Sequence, residues 1–182
     1  MDTKKIYKKL KLTTGKEVIL RKTRKEDLQK LVDMYTTLSE ETLMFLRPYR
    51  FTPTEVREMQ ERVDWKRVFS LVAENSDKII AEARLIRYSD SAAEFGIIVH
   101  DDYRNMKLGQ NLVKMIIELA RDVGVRRLIA FCTIDNKIAL HIYKKLGFNV
   151  EKRLKAEKSV FDEKGFVRLA IDIRSISNQY PV

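Results

Sequence analysis

The chain has little of what marks a metal protein, a disulfide scaffold or a membrane span. Its 182 residues include one cysteine, Cys132, and two histidines, His100 and His141. A lone cysteine permits no internal disulfide framework and no cysteine-rich zinc site. Neither histidine has a metal-ligating companion at helical spacing, so no metal centre is expected. The 3 prolines and 6 glycines punctuate elements rather than divide domains, and there is no repeat or low-complexity linker. No apolar run approaches the roughly 20 residues of a membrane-spanning helix. The basic start, "MDTKKIYKKLKL", lacks the apolar stretch of a signal peptide. These absences predict a cytoplasmic protein with no membrane partner, built as one domain over 1–174 with a loose polar tail over 175–182.

What is present is a large charged surface around enough apolar residues for a core: 45% hydrophobic and 34% charged. The 36 Lys and Arg against 26 Asp and Glu leave a formal charge of +10. Such an excess favours anionic partners, among them a phosphorylated cofactor or nucleic acid, although a solvated basic surface is the plainer reading for many of these residues. The basic residues are spread over several elements rather than gathered on one arm, and no base-reading motif occurs. A nucleic-acid-binding module is therefore an alternative that nothing requires.

Apolar spacing predicts the elements. "LKLTTGKEVILRK" reads as two short strands around a turn at Thr14 and Gly15. Thr23 and Glu26 have the spacing of a capping box before a helix with Leu28, Leu31, Val32, Tyr35 and Leu38 on one face. Thr52-Pro53-Thr54-Glu55 starts a second helix, with "SEETLMFLRPYRF" as a polar and aromatic connection between them. "RVFSLVAE" and "KIIAEARLIRY" flank a hairpin turn at 75–77, and "AAEFGIIV", apolar on both faces, reads as a central strand. Leu112, Met115, Ile116, Leu119, Ala120 and Val123 define a helix that starts at Leu108 and ends at Gly124. "RRLIAFCTI" is another buried strand, Asp135 is the expected cap of the helix "NKIALHIYKKL", and Gly147 stops it. Two final strands, near 148–157 and 166–173, flank a turn with Asp162 and Gly165. With the opening ribbon counted once, the order is strand, two helices, three strands, helix, strand, helix, two strands. That predicts an α/β protein, a mixed sheet with helices packed on it.

One junction stands out. In "DDYRNMKLGQN" a strand hands over to a helix, and the helix's first amides, from about Asn105 to Gln110, have no acceptor within the helix. Those donors and the positive end of the helix dipole suit a pyrophosphate. Phosphate turns favour glycine, yet this one has only Gly109, with Lys107 where another could stand.

Two motifs resemble the Gcn5-related N-acetyltransferase (GNAT) superfamily. The first is Arg104-Asn105-Met106-Lys107-Leu108-Gly109, which follows that family's acyl-CoA turn except at Lys107, where the family has glycine. The second is Asn136 at a helix start, Tyr143 seven positions on, and Gly147-Phe148 after the helix. The resemblance covers roughly 18–173. It implies a GNAT-like acyl-CoA N-acyltransferase fold, a central mixed sheet flanked by about four helices. It also implies acetyl-CoA as cosubstrate and direct acetyl transfer to an amine-bearing acceptor, as a monomer or a dimer. Glu94 would be the general base, directly or through water, and Tyr143 the general acid for the departing thiolate. Cofactor contacts would come from Ile97, Ile98 and Val99, from Arg104, Asn105, Met106, Lys107, Leu108, Gly109 and Gln110, and from Asn136 and Ala139. For Glu94 the competing reading is an ion pair with Arg84 or Arg87, and Glu82 is the rival base; for Tyr143 it is a place in the core. Cys132 reads as a small buried hydrophobe.

"TTGKEVILRKTRKEDLQKL" and "AEFGIIVHDDYR" resemble the protein lysine acetyltransferase branch, which makes a protein lysine the first expectation for the acceptor. A small amine or polyamine is the alternative. Protein N-termini are disfavoured, because Phe131 stands where the ribosomal N-terminal acetylating branch often has Glu. A non-catalytic acyl-CoA sensor is the remaining reading.

Overall fold

Apolar alternation resolves into eight strands of one sheet in the computed structural model, which describes residues 7–46, 51–154 and 165–176. The strands are β1 (Tyr7–Lys11), β2 (Glu17–Lys22), β3 (Val68–Asn75), β4 (Lys78–Arg87), β5 (Ala92–Val99), β6 (Arg127–Thr133), β7 (Asn149–Leu154) and β8 (Phe166–Asp172). Their spatial order is β1-β2-β3-β4-β5-β6-β8-β7. Every neighbouring pair is antiparallel except β5 with β6. The helices are α1 (Leu28–Thr36), α2 (Glu40–Phe45), α3 (Pro53–Glu61), α4 (Leu108–Asp122) and α5 (Lys137–Lys145).

Strand alternation sorts the side chains onto two faces. Leu71, Ala73, Leu85, Phe95 and Leu128 pack with Leu112 and Ile116 of α4, with Tyr143 of α5 and with Leu146 just after it. Val72 and Ile98 point the other way, into a second cluster with Leu31, Val32 and Tyr35 of α1 and Val56 of α3. The strand "AAEFGIIV" is thus buried on the α4 side through Ala93 and Phe95, while on the α1 side Ile98 packs, Glu94 is half-buried and Gly96 is exposed. The 75–77 hairpin also forms as expected, with Ser76 and Asp77 at φ 47° and 67°. Such values match the right-handed twist of two-residue hairpins.

Three local expectations need correction. Thr23 does not cap the first helix, because its hydroxyl lies 2.6 Å from that of Ser70. The carboxylate that reaches back is Asp27, which accepts from the Arg24 amide at 2.7 Å and forms a two-pronged pair with the Arg21 guanidinium. Asp135 does not cap α5; Asn136 does, its side-chain oxygen accepting from the Ala139 amide at 3.0 Å. The connection "SEETLMF" contains a helix, α2, whose start is capped by Ser39 accepting from the Thr42 amide. At Thr52 the expected capping box with Glu55 is present in both directions. Gly147 at φ 87° ends α5, and a side chain there would crowd Ile171 at 3.1 Å. Asp162 and residues 177–182 of the tail lie outside the described residues.

Candidate active site

Between β5 and α4 the chain makes a 3-10 turn at Asp101–Tyr103 and then places two non-glycine residues in the left-handed region, Asn105 at φ 58° and Lys107 at φ 62°. Asparagine tolerates that conformation; lysine has no such excuse, and a β-carbon there costs roughly 1–2 kcal/mol. Lys107 has thus adopted the backbone that glycine would take freely, with its own side chain exposed. Its carbonyl accepts from the Asn111 amide at 3.1 Å, which begins the helical ladder. The amides of Leu108, Gly109 and Gln110 precede that first bond and have no helical acceptor. Leu108 is buried, Met106 and Gln110 half-buried, and Asn105 exposed. A β-carbon on Gly109 would touch Val99 at an ordinary 3.7 Å, so the fold itself does not demand glycine there.

Parallel strands β5 and β6 pair only from Ala92–Arg127 to Phe95–Ala130. Beyond that point β5 stays paired with β4, through Gly96–Arg84, Ile97–Ala83, Ile98–Glu82 and Val99–Ala81, while β6 stays with β8. The two strands therefore diverge into a cleft whose β5 wall is Ile97, Ile98 and Val99. Such a slot can take an extended acyl arm against backbone groups that β6 no longer uses. Ile97 and Val99 lean on the α4 side of the sheet and Ile98 on the α1 side.

Asn136 and Ala139 sit at the start of α5, and Tyr143 lies two turns along it. The Tyr143 ring meets Phe95 edge-on at 5.4 Å and Phe148 at 5.7 Å, so this tyrosine is both a core residue and a candidate site residue. Burial, with a contribution from Cys132, pushes its phenol well above the ordinary value. Burial also pushes the Cys132 thiol up to about 11, which keeps it protonated and a poor nucleophile.

Glu94 faces the α1 side, level with Ile86 of β4 and Ile129 of β6. It is half-buried, and burial raises its carboxyl above the usual range. The arginines that could have claimed it are engaged elsewhere: Arg84 donates to Glu82 at 2.9 Å and Arg87 lies 3.3 Å from Asp90. The rival base is itself occupied. Glu82 is buried and accepts from Tyr35, Ser70 and Arg84 at 2.5, 2.7 and 2.9 Å. Three of the roughly four lone-pair sites of this carboxylate are already taken within the fold. Among the described residues, Glu94 has no hydrogen-bond or ion-pair partner.

A cavity of about 190 Å³ opens on the same side, lined by Glu41, Met44 and Phe45 of α2, Thr133 and Asp135 after β6, and Gly165 and Phe166 at β8. Thr133 is buried, and its hydroxyl has no hydrogen-bond partner among the described residues. Thr133 and Ile129 share a face of β6, so the cavity lies roughly 13 Å beyond the level of Glu94 along the strand. Sequence reasoning missed this wall because α2 was read as a connection; the S-x-x-T spacing of Ser39 and Thr42 was its available signal. Arg104, expected at the cofactor, turns its guanidinium toward α2, donating to Thr42 and lying 3.3 Å from Asp101 and 3.8 Å from Glu41. The side chain of Arg104 is thus engaged with α2, and the amides of Leu108, Gly109 and Gln110 are the donors that the turn leaves without a helical acceptor.

The family model described as the acetyltransferase (GNAT) family matches residues 31–148. The spermidine N(1)-acetyltransferase of Escherichia coli (strain K12) is 27% identical over 177 residues, which cover 93% of this chain and 91% of that protein. The L-amino acid N-acyltransferase MnaT of the same strain is 29% identical over 85 residues, 45% of this chain and 49% of that protein. The chain thus spans about half the length of the latter. Among solved structures, the GNAT domain of S. lividans PAT superposes with a TM-score of 0.76 at 22% identity, covering 91% of this chain and 96% of that one. A spermidine N-acetyltransferase from Vibrio cholerae, in complex with CoA and spermine, gives 0.72 at 19% identity, covering 86% and 96%. At such identities these two structures speak for the fold.

Proposed function

The chain belongs to the acetyltransferase (GNAT) family, whose members use acetyl-CoA to acetylate an amine, and from that premise we propose that Glu94 and Tyr143 run the transfer on an aliphatic di- or polyamine. The observation that carries the reading is the half-buried Glu94, without a partner among the described residues, beside the point where β5 and β6 part. A primary alkylamine has a pKa near 10.4, so freeing its lone pair near pH 7 costs roughly 4–5 kcal/mol. A carboxylate held in a poorly solvated place accepts that proton better than an ordinary one. The amine nitrogen then attacks the thioester carbonyl carbon, the C–S bond breaks, and the thiolate leaves while the nitrogen gives its second proton to solvent. Tyr143, kept protonated by burial, donates a hydrogen bond to that sulfur. Its raised pKa suits a donor that stabilises charge more than one that readily gives its proton away.

Cosubstrate binding falls to the amides of 105–110 for the pyrophosphate and to Ile97, Ile98 and Val99 for the acyl arm, with Asn136 and Ala139 across the cleft. The cavity supports the choice of acceptor. Its Glu41 and Asp135 carboxylates stand with Met44, Phe45 and Phe166, a setting for a methylene chain ending in a second ammonium. With one nitrogen at Glu94 and another near Glu41 and Asp135, the spacing fits a polyamine better than a single lysine side chain. The test follows CoA thiol release with spermidine, free lysine and a lysine-containing peptide as acceptors. Spermidine is expected to exceed the peptide in kcat/KM by about tenfold or more, the worth of one recognised charge. A preference for the peptide would restore a protein lysine as the acceptor.

A further inference from the structure

Phosphate turn and acceptor wall meet at one carboxylate. Asp101, the first residue of the turn, accepts three hydrogen bonds from the start of α2: the Ser39 amide at 2.8 Å, the Ser39 hydroxyl at 2.7 Å and the Thr42 hydroxyl at 2.6 Å. Arg104, also of the turn, braces the same cluster through Asp101, Thr42 and Glu41. A further contact joins Thr37 to His100 at 3.2 Å. Helix α2 has six residues, too few to hold helical structure by its own ladder. Its placement therefore depends on these partners, and it supplies Glu41, Met44 and Phe45 to the cavity. Burial by itself would raise the Asp101 carboxyl; the bonds from Ser39 and Thr42 and the Arg104 charge prevail and bring it down to about 2. The group is charged at every working pH.

We propose that Asp101 is a positioning residue that couples the two halves of the site, so that acetyl-CoA settling on the phosphate turn orders α2 and with it the wall of the acceptor cavity. This rests on the acyl-CoA reading of the turn. An anion on the amides of 105–110 restrains the segment from which Asp101 and Arg104 project, and their bonds pass that restraint to Ser39 and Thr42. Linkage makes the coupling mutual: acetyl-CoA tightens acceptor binding by the factor with which the acceptor tightens acetyl-CoA.

Amide hydrogen exchange over Glu40–Phe45 in the full chain, with and without acetyl-CoA, tests this without needing the acceptor. Calorimetry on the same samples reports binding. In the unaltered chain acetyl-CoA is expected to slow exchange at both Leu108–Gln110 and Glu40–Phe45, the latter by about tenfold. Asp101→Ala should still bind acetyl-CoA within about threefold and still protect Leu108–Gln110, yet lose the effect at Glu40–Phe45. Thr42→Val, which removes one hydroxyl and leaves the Ser39 bonds, should lose part of it and serves if the alanine variant fails to fold. With spermidine, Asp101→Ala should raise the acceptor KM while kcat changes little. Binding of acetyl-CoA with no slowing at Glu40–Phe45 in the unaltered chain would overturn the proposal, as would full slowing in both variants or an unchanged KM. Failure of acetyl-CoA to bind at all would instead defeat the reading of the turn, and calorimetry alone reveals it.

Discussion

Burial that raises the Glu94 carboxyl also makes its charged form unfavourable in the folded chain, so activity and stability pull in opposite directions at this residue. The sign is definite. A carboxyl raised above its unfolded value of about 4.3 favours folding while protonated, and that contribution is lost as pH rises through the folded pKa. Glu94→Gln is expected to raise Tm at pH 7–8, with the difference vanishing below about pH 4, where both side chains are neutral. The same change should lower kcat/KM by about a hundredfold or more and remove the limb that rises as Glu94 deprotonates, while acetyl-CoA affinity holds. Unaltered activity would exclude Glu94 as the base. Tyr143→Phe separates the two roles of that ring. Packing against Phe95 and Phe148 survives, so Tm should hold while turnover falls about tenfold, the worth of one charge-assisted hydrogen bond. Equal turnover would leave Tyr143 a core residue only.

At the scale of the element, the turn before α4 holds Lys107 in the left-handed backbone that glycine adopts freely. Lys107→Gly removes a β-carbon from a φ of 62° and should raise stability by about 0.5–1 kcal/mol in chemical denaturation, the strain relieved less the entropy glycine adds. Since the backbone already has glycine's conformation, the lysine does not block it. On the acyl-CoA reading of the turn its ammonium would add charge beside the pyrophosphate, and the variant should bind acetyl-CoA a few-fold more weakly at low salt, the gap closing at high salt. Tighter binding would mean that the side chain obstructs. Gly109→Ala works the other way: with only Val99 at 3.7 Å to meet, it should keep or gain stability and lose acetyl-CoA affinity. What the sequence revealed at this scale, and what it hid, follows from the range of the forces. Helix α4, the β5 strand and the Thr52 cap are set by neighbours in sequence, and all were legible. Thr23 looked like a cap until Ser70, 47 residues away, took its hydroxyl. Helix α2 offers only the local Ser39–Thr42 cap to a reader of the sequence, because much of its hold comes from Asp101, 62 residues beyond Ser39.

Across the whole molecule, residues as far as 53 positions apart are joined by buried and part-buried charge, and no periodicity announces such pairs. Arg21 of β2 meets Asp27 before α1 with 6% and 4% of their side chains exposed, and also reaches Glu74 of β3 at 2.8 Å. Arg21 and Lys30 hold the Glu74 carboxyl down at about 2 against its burial. Burial tends to raise the Asp27 carboxyl, and the Arg21 and Arg24 bonds more than reverse it. Arg21→Met keeps the aliphatic volume and strands Asp27 in the interior, which should cost about 3–5 kcal/mol at pH 7. Asp27→Asn added to it should recover part of that loss, since the stranded charge is gone. The pH dependence distinguishes this from lost packing. In the unaltered chain both carboxylates titrate below their unfolded values, so their contribution is complete above about pH 5 and disappears as pH falls toward 2. In Arg21→Met the buried Asp27 gains from protonation over the same range. The stability gap between the two chains should therefore narrow steadily from pH 5 to pH 2; a gap that stays constant would assign the loss to packing around β2 rather than to charge.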